Sequence, residues 1–340
     1  MTVTPPLAFR AGFREKHDVK LMVASTGSGR VRHTRFGALV DALQPGDVLV
    51  VNVSATLPAA VDGRSVDAVG APVRLHFSQP VAGDLWTVEP RRPLAIGSEP
   101  WRDFSGGEVT VASGSEGRAT VTLLASDSRS PRLWLTQTAA LGDVVAYLEQ
   151  HGQPIRYAHE AVARPLAEHQ TIFATEPGSA EMPSAGRPFT AALLAALVAK
   201  GVTFAPLVLH CGVASFEGGE TPDVERYRVP EATAASINQA RSHGGRVIAV
   251  GTTSARALET VADTRGQVHP GSGVTDLVIT PERGVRVIDG IISGWHDAGA
   301  SHLQLLEAVA GRSLLERCYA EAHQRDYLWH EFGDALLLLR

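Results

Sequence analysis

The sequence predicts an α/β body carrying a small all-β, barrel-like insert. Three observations predict it. Asp47 to Val53 (DVLVVNV) is a continuous apolar, β-branched run, the mark of a strand buried on both faces. Between Val61 and about Leu135, short alternating segments follow one another with turn residues between them. From Gly142 onward, helix-like and strand-like segments alternate, as in an α/β layer. The expected division is residues 1–62 with 142–340 as the body and 63–141 as the insert.

The elements follow in chain order. Lys20 to Ala24 and Val31 to Phe36 read as strands around the turn Ser25-Thr26-Gly27-Ser28-Gly29. Phe36 to Leu43 has a short helical pattern, stopped by Pro45-Gly46. The insert's strands are Val73 to Phe77, Leu85 to Val88, Glu108 to Val111 and Ala119 to Leu124. In the second part of the body, Ala191 to Lys200, Pro230 to Ala240, Ser254 to Ala262, Leu303 to Ala310 and Leu314 to Arg325 read as helices. Thr203 to Leu209, Arg246 to Val250, Leu277 to Thr280 and Val285 to Ile288 read as strands.

Composition excludes several classes. The chain has 340 residues, enough to bury a large core without staples. Its two cysteines, Cys211 and Cys318, cannot make a disulfide framework, which suits a reducing cytoplasm. The longest apolar run, Ala191 to Ala199, is too short to span a bilayer, so no membrane partner is expected. The net charge of −5 argues against broad nonspecific nucleic-acid binding. A local basic run is present: Arg10, Arg14, Lys16, Lys20, Arg30, Arg32 and Arg35 against Glu15 and Asp18. It reads either as a phosphate-facing patch or as the solvated face of an edge hairpin.

Three stretches can carry chemistry. In Arg246 to Glu259 a buried strand runs into Gly251, and Thr252, Thr253 and Ser254 open a helix. Free backbone N–H groups and the helix dipole suit such a turn to an anion, and Arg256 adds a bidentate donor. The plainer alternative is N-capping by Thr253 or Ser254. The loop from Glu176 to Thr190 is long and rich in Pro, Gly and Ser; its Pro183, Ser184, Ala185 and Gly186 let backbone approach a flat ligand. Alternatively it is a surface loop with Thr190 capping the next helix. His210, after the apolar strand, and His296, after Ile291 to Trp295, are candidate general bases. No His or Cys spacing matches a metal motif, and GxSxG, GxxxxGK[ST] and GxGxxG after a strand are absent.

Together these motifs resemble the S-adenosylmethionine:tRNA ribosyltransferase-isomerase family of the queuosine pathway. The matching segments run nearly end to end: Gly46 to Asn52, Gln170-Thr171, Glu176-Pro177-Gly178, Pro183 to Gly186, Phe189-Thr190, Leu209 to Gly212, Gly244 to Ser254 with Arg256 and Glu259, Thr275-Asp276, Asp289-Gly290, His296, Ala310-Gly311-Arg312 and Gly333-Asp334-Ala335. The resemblance implies an α/β body with a β-barrel insertion. It implies transfer of the ribosyl part of S-adenosylmethionine to the aminomethyl group of 7-aminomethyl-7-deazaguanine in tRNA, giving epoxyqueuosine with loss of adenine and methionine. S-adenosylmethionine is then a substrate, and no separate cofactor or metal is expected. The sulfonium acidifies the ribose C5′ hydrogens, so a base, His210 or His296, starts the reaction. The Gly251 to Arg256 turn suits the methionine carboxylate. The implied binding residues are Asn52, Pro183, Ser184, Ala185, Gly186, Gly251, Thr252, Thr253, Ser254, Arg256, Glu259, Trp295 and Asp334. A cytoplasmic monomer or small homo-oligomer is expected.

The chain departs from the family pattern at several polar positions. Asn-Asp-Thr-Arg before Pro-Ala-Arg is here Asn52-Val53-Ser54-Ala55 and Pro58-Ala59-Ala60, removing one acid and two arginines. Gly-Leu-His-Phe-Thr is Gly186 to Thr190 with Arg187 and Pro188, and Gly-Thr-Phe is Ala214-Ser215-Phe216. Thr-Asn-Phe-His-Leu-Pro-Lys-Ser is Ser293 to Ala300, and Phe-Ser-Tyr-Gly-Asp-Ala is His330 to Ala335. Lost arginines weaken recognition of phosphate or carboxylate. Two alternatives to the family reaction therefore stay open: a paralogue acting on a small-molecule acceptor, and a non-catalytic S-adenosylmethionine-binding protein.

Overall fold

A computed structural model describes residues 10–67, 70–115, 117–158, 160, 162–213, 223–296 and 301–340. The motif positions Ala214-Ser215-Phe216 and Asp297 to Ala300 lie outside the described residues.

Strand Val48–Asn52 shows why the body is layered: all five residues are buried, and their alternation divides them between two cores. Val48 and Val50 pack with Ile237, Leu258, Leu306 and Leu315 from the helices Glu231–Ser242, Thr252–Thr260, Ser301–Ala310 and Arg312–Gln324. Leu49 and Val51 pack on the other face with Leu39, Leu193 and Leu197 from Leu39–Ala42 and Ala191–Ala199. The sheet has nine strands, in the order Gly271–Thr275, Glu225–Val229, Thr203–Leu209, Val48–Asn52, Val247–Val250, Gly290–Gly294, Ala335–Leu339, Lys20–Ser25 and Val31–Arg35. The four strands from Thr203–Leu209 to Gly290–Gly294 are mutually parallel. The basic hairpin strand Val31–Arg35 lies at the sheet's edge, and Arg14 and Arg35 are paired with Asp334 and Asp18.

The insert is a closed antiparallel barrel of six strands: Ala60–Ser65, Pro72–Ala82, Leu85–Pro93, Trp134–Gln137, Gly117–Ser126 and Gly107–Ser113. Trp134–Gln137 closes it by pairing with both Gly117–Ser126 and Leu85–Pro93. Inward residues Leu75, Phe77, Val88, Val109 and Val121 fill it. The barrel's first strand starts at Ala60, ahead of residue 63, because Ala60 and Val61 pair with His76 and Leu75. Past residue 141, helix Val144–His151 also belongs to the barrel's core through Val144, Tyr147 and Leu148. Asp143 caps that helix, accepting from the N–H groups of Val145 (2.9 Å) and Ala146 (3.1 Å).

Two expected strands are absent. Leu277 to Thr280 and Val285 to Ile288 are irregular, although Val287 and Ile288 are buried. Their backbone N–H groups, with that of Arg286, donate to the carboxylate of Glu259 rather than to a neighbouring strand. The strand expected there is Gly290–Gly294 instead.

Candidate active site

The parallel strands end at a common rim, the place where open α/β sheets bind ligands. His210 follows Leu209, Asn52 ends its strand, Gly251 follows Val250, and Trp295 and His296 follow Gly294. Three of the predicted segments are thereby joined. His296 is apart: its strand is third in order from that of His210, a separation of about 14 Å at ~4.8 Å per strand.

His210 is the best-organised titratable group on this rim. Its Nδ1 lies 2.8 Å from Ser54 Oγ, and Ser54 Oγ lies 2.6 Å from Ser179 Oγ. Ser179 Oγ accepts from the Cys211 N–H (2.9 Å). Nε2 has no hydrogen-bond partner among the described residues. Burial, and secondarily Arg226, push the imidazole down to about 4, so it is neutral at pH 7. Gly178 permits this pose, because a Cβ there would stand 2.4 Å from His210 Nδ1. Asn52 stitches the strand ends together: Oδ1 accepts from Leu209 and Ser54 N–H (3.1 Å each), and Nδ2 donates to the Leu209 carbonyl (2.7 Å) and to Thr253 Oγ1 (3.3 Å).

Gly251 has φ +92°, the left-handed region that glycine alone enters without strain. It precedes helix Thr252–Thr260, whose N-terminus carries no side-chain cap. Ser254 instead donates back to the Val250 carbonyl (2.8 Å). The Pro183 to Gly186 segment packs on this turn: a Gly251 Cβ would lie 3.3 Å from Ala185 Cβ. Phe189, edge-on to Phe36 (5.0 Å) and Phe173 (5.1 Å), anchors the loop, and Thr190 caps helix Ala191–Ala199. Thus the turn, the loop, Asn52 and His210 form one constellation.

The remaining candidates lie elsewhere. Arg256 pairs with Glu225 and donates to the carbonyls of Leu277 (3.1 Å) and Thr275 (3.3 Å). Glu225 in turn accepts from the Gly212 N–H (2.8 Å), so Arg256 reaches the His210 segment indirectly. Glu259 is bound to the 283–288 segment, with Arg283 3.1 Å away. Asp334 accepts from the N–H groups of Lys20 (2.7 Å) and Leu328 (2.8 Å) and pairs with Arg14. Trp295 is a core residue against Tyr319 and Tyr327. His296 stacks on His302 (4.2 Å) and lies against His330 (4.5 Å), with Nε2 3.2 Å from Ser293 Oγ. Burial holds it well below the usual imidazole range.

A profile of the queuosine biosynthesis protein family matches residues 4–338. The chain belongs to that family. Over 96% of its length it is 32% identical to an S-adenosylmethionine:tRNA ribosyltransferase-isomerase of Desulforamulus reducens, covering 94% of that protein. A Gloeobacter violaceus protein of the same name is 36% identical over 90% of this chain and 86% of its own. The crystal structure of S-adenosylmethionine tRNA ribosyltransferase from Thermotoga maritima aligns with TM-score 0.52 and 25% identity over 99% of this chain and 98% of that one.

Within this queuosine-family fold, sequence reasoning missed the groups that hold His210. Ser54 and Ser179 sit in segments that the motifs marked, yet a lone serine carries no signal of its own. Gln79 lies in the barrel and donates to the His210 carbonyl (2.8 Å), a contact 131 residues apart in sequence. Arg187, a departure from the family pattern, is buried; it donates to the Arg14 carbonyl (2.9 Å) and lies over the rings of Phe13 and Phe332.

Proposed function

We propose that this chain transfers the ribosyl part of S-adenosylmethionine to a deazaguanine base in tRNA, with His210 as the proton acceptor. The observation that carries the role of His210 is its geometry. A neutral imidazole is fixed through Nδ1 by Ser54, leaving Nε2 for substrate beside the Gly251 turn. On taking a proton at Nε2, the ring keeps a donor at Nδ1 for Ser54, and Ser54 and Ser179 pass that polarity along their hydrogen bond. The relatives named above support the reaction itself, and they do not favour a small-molecule paralogue. His296 is the weaker base, since it stacks on His302 and lies against His330.

In this reading the uncapped helix start at Gly251 to Ser254 takes the methionine carboxylate. Pro183 to Gly186 gives a flat contact for the nucleoside. Asn52 and Thr253 hold the rim between them. Arg256 supports the site through Glu225. S-adenosylmethionine is a substrate, and the reaction draws on no resident cofactor or metal. The enzyme works in the cytoplasm as a monomer or small homo-oligomer; no helix among the described residues is long and apolar enough to cross a membrane.

The test follows adenine and methionine release with and without tRNA carrying the aminomethyl-deazaguanine base. Release that requires the tRNA is expected. Release without it moves the assignment to another acceptor. His210→Gln is expected to lower kcat by roughly 10²–10⁴-fold, the usual worth of a general base. A variant with wild-type kcat removes His210 from that role.

A further inference from the structure

The backbone of residues 210–213 is held from outside its own strand at seven of its eight N–H and C=O groups. The His210 N–H donates to the Arg226 carbonyl (2.9 Å), and the His210 carbonyl accepts from Gln79 Nε2 (2.8 Å). The Cys211 N–H donates to Ser179 Oγ (2.9 Å) and its carbonyl accepts from the Ala180 N–H (2.8 Å). The Gly212 N–H donates to Glu225 (2.8 Å). The Val213 N–H donates to Ser78 Oγ, and its carbonyl accepts from Arg132, both at 3.1 Å. Gln79, Ser78 and Arg132 all belong to the barrel unit. Five of these contacts come from side chains and two from neighbouring main chain, and a free segment would let the embedded imidazole drift.

We propose that the barrel positions His210: Gln79, with Ser78 and Arg132, fixes the carbonyl and the following turn so that Nε2 faces the rim. The inference rests on the reading of His210 as the base. Gln79 is a positioning residue, since it touches the backbone of His210 and no reacting atom. Only its amide NH2 can pair with a carbonyl, so the orientation of the side chain is set by this contact. Gly212 fits the same device, because a Cβ there would stand 2.8 Å from Ser78 Oγ. The charged groups facing the imidazole are Arg226 and Arg228 from strand Glu225–Val229 and Glu176 from strand Glu176–Ser179. The barrel adds no charge directly at the ring, so loss of Gln79 acts through position and burial.

Gln79→Met keeps length and removes the donor. The expected result is a kcat lowered by about 10- to 100-fold with KM for S-adenosylmethionine unchanged, since misplacing a reacting group by about 1 Å costs up to ~10². The His210 ring titration, followed by NMR on the full chain, is expected to rise from about 4 toward its ordinary 6.5 as the ring loosens into solvent. A raised KM with unchanged kcat, or an unmoved titration, overturns the proposal. If Gln79→Met does not fold, Gly212→Ala perturbs Ser78 from the other side and is read in the same two ways. The two readings separate cleanly. A His210→Gln enzyme with full kcat sinks the base assignment, whereas the titration of His210 in Gln79→Met still decides the positioning claim.

Discussion

Arg256 lies two residues past the Gly244 to Ser254 family segment, and its guanidinium is bound to Glu225 and to main-chain carbonyls. Both members of the pair are largely buried, so removing one strands a charge in a poorly solvated place. Arg256→Met is therefore expected to destabilise the fold by about 3–5 kcal/mol, and Arg256→Met with Glu225→Gln by clearly less. Thermal melting of the single and double variants checks this; equal losses would show that the pair is not the cause. Calorimetry with S-adenosylmethionine on the double variant then isolates any direct contact of Arg256 with ligand. The sequence marked Arg256 as a bidentate donor for a ligand anion; in the structure one guanidinium N–H meets the Glu225 carboxylate and the others go to main-chain carbonyls. What it could not show is the recipient, because Glu225 stands 31 residues away on a strand with no clear apolar alternation. His210 was legible for the opposite reason: it ends an apolar strand, and strand ends are where α/β sheets place ligands. Its Ser54 and Ser179 partners come together only through the parallel pairing of Glu176–Ser179 with Ser54–Thr56.

At the scale of elements, strands with one-sided or two-sided apolar patterns were readable. Thr203–Leu209 has the predicted bounds, and the five helices of the second part of the body lie where their periodicity puts them. Ala335–Leu339 went unread although its five residues are all buried, a run that could have been taken as a strand. The segment 277–288 misled, because apolar residues there are buried without pairing in a sheet. Glu259 explains this for residues 283–288. One buried carboxylate replaces a strand neighbour by accepting from Arg286 (2.8 Å), Val287 (2.9 Å) and Arg283 (3.1 Å). Glu259→Ala leaves those main-chain N–H groups without their acceptor and takes the carboxylate from a guanidinium that keeps the carbonyls of Gly284 and residue 259, so a loss of about 3 kcal/mol is expected. The loss should be local first. Hydrogen exchange is expected to accelerate at 283–288 while strand Val48–Asn52 stays protected. Uniform acceleration across both would mean that Glu259 supports the whole body and not this segment.

At the scale of the whole molecule, the three-layer body and the barrel meet around the His210 turn, and both contribute buried imidazoles. Burial pushes His169, His210 and His302 each down to about 4 from the usual 6.5, and holds His76 and His296 well below that value. A histidine with a depressed folded-state pKa binds fewer protons folded than unfolded between those two values. Its contribution is fully present above about pH 6.5 and is lost as the pH falls through about 4. Glu160 and Glu331 act in the other direction, since burial raises both, so the folded chain holds their protons more tightly. They favour folding at low pH and cease to help as the pH rises through their raised values. Five imidazoles stand against two carboxyls, and the three imidazoles held near 4 set the slope expected between about pH 6.5 and pH 4. Stability is therefore expected to fall steadily from about pH 6.5 to pH 4, well before ordinary carboxylates titrate fully. Denaturant midpoints measured at half-unit steps check this, and a midpoint that holds constant down to pH 4 would contradict it. Replacing His302 and His169 by Gln should flatten the slope between these limits without moving the midpoint at pH 8 by as much. His210→Gln should flatten it too, and because that residue is also the proposed base, the same variant ties the acid limb of stability to the acid limb of turnover.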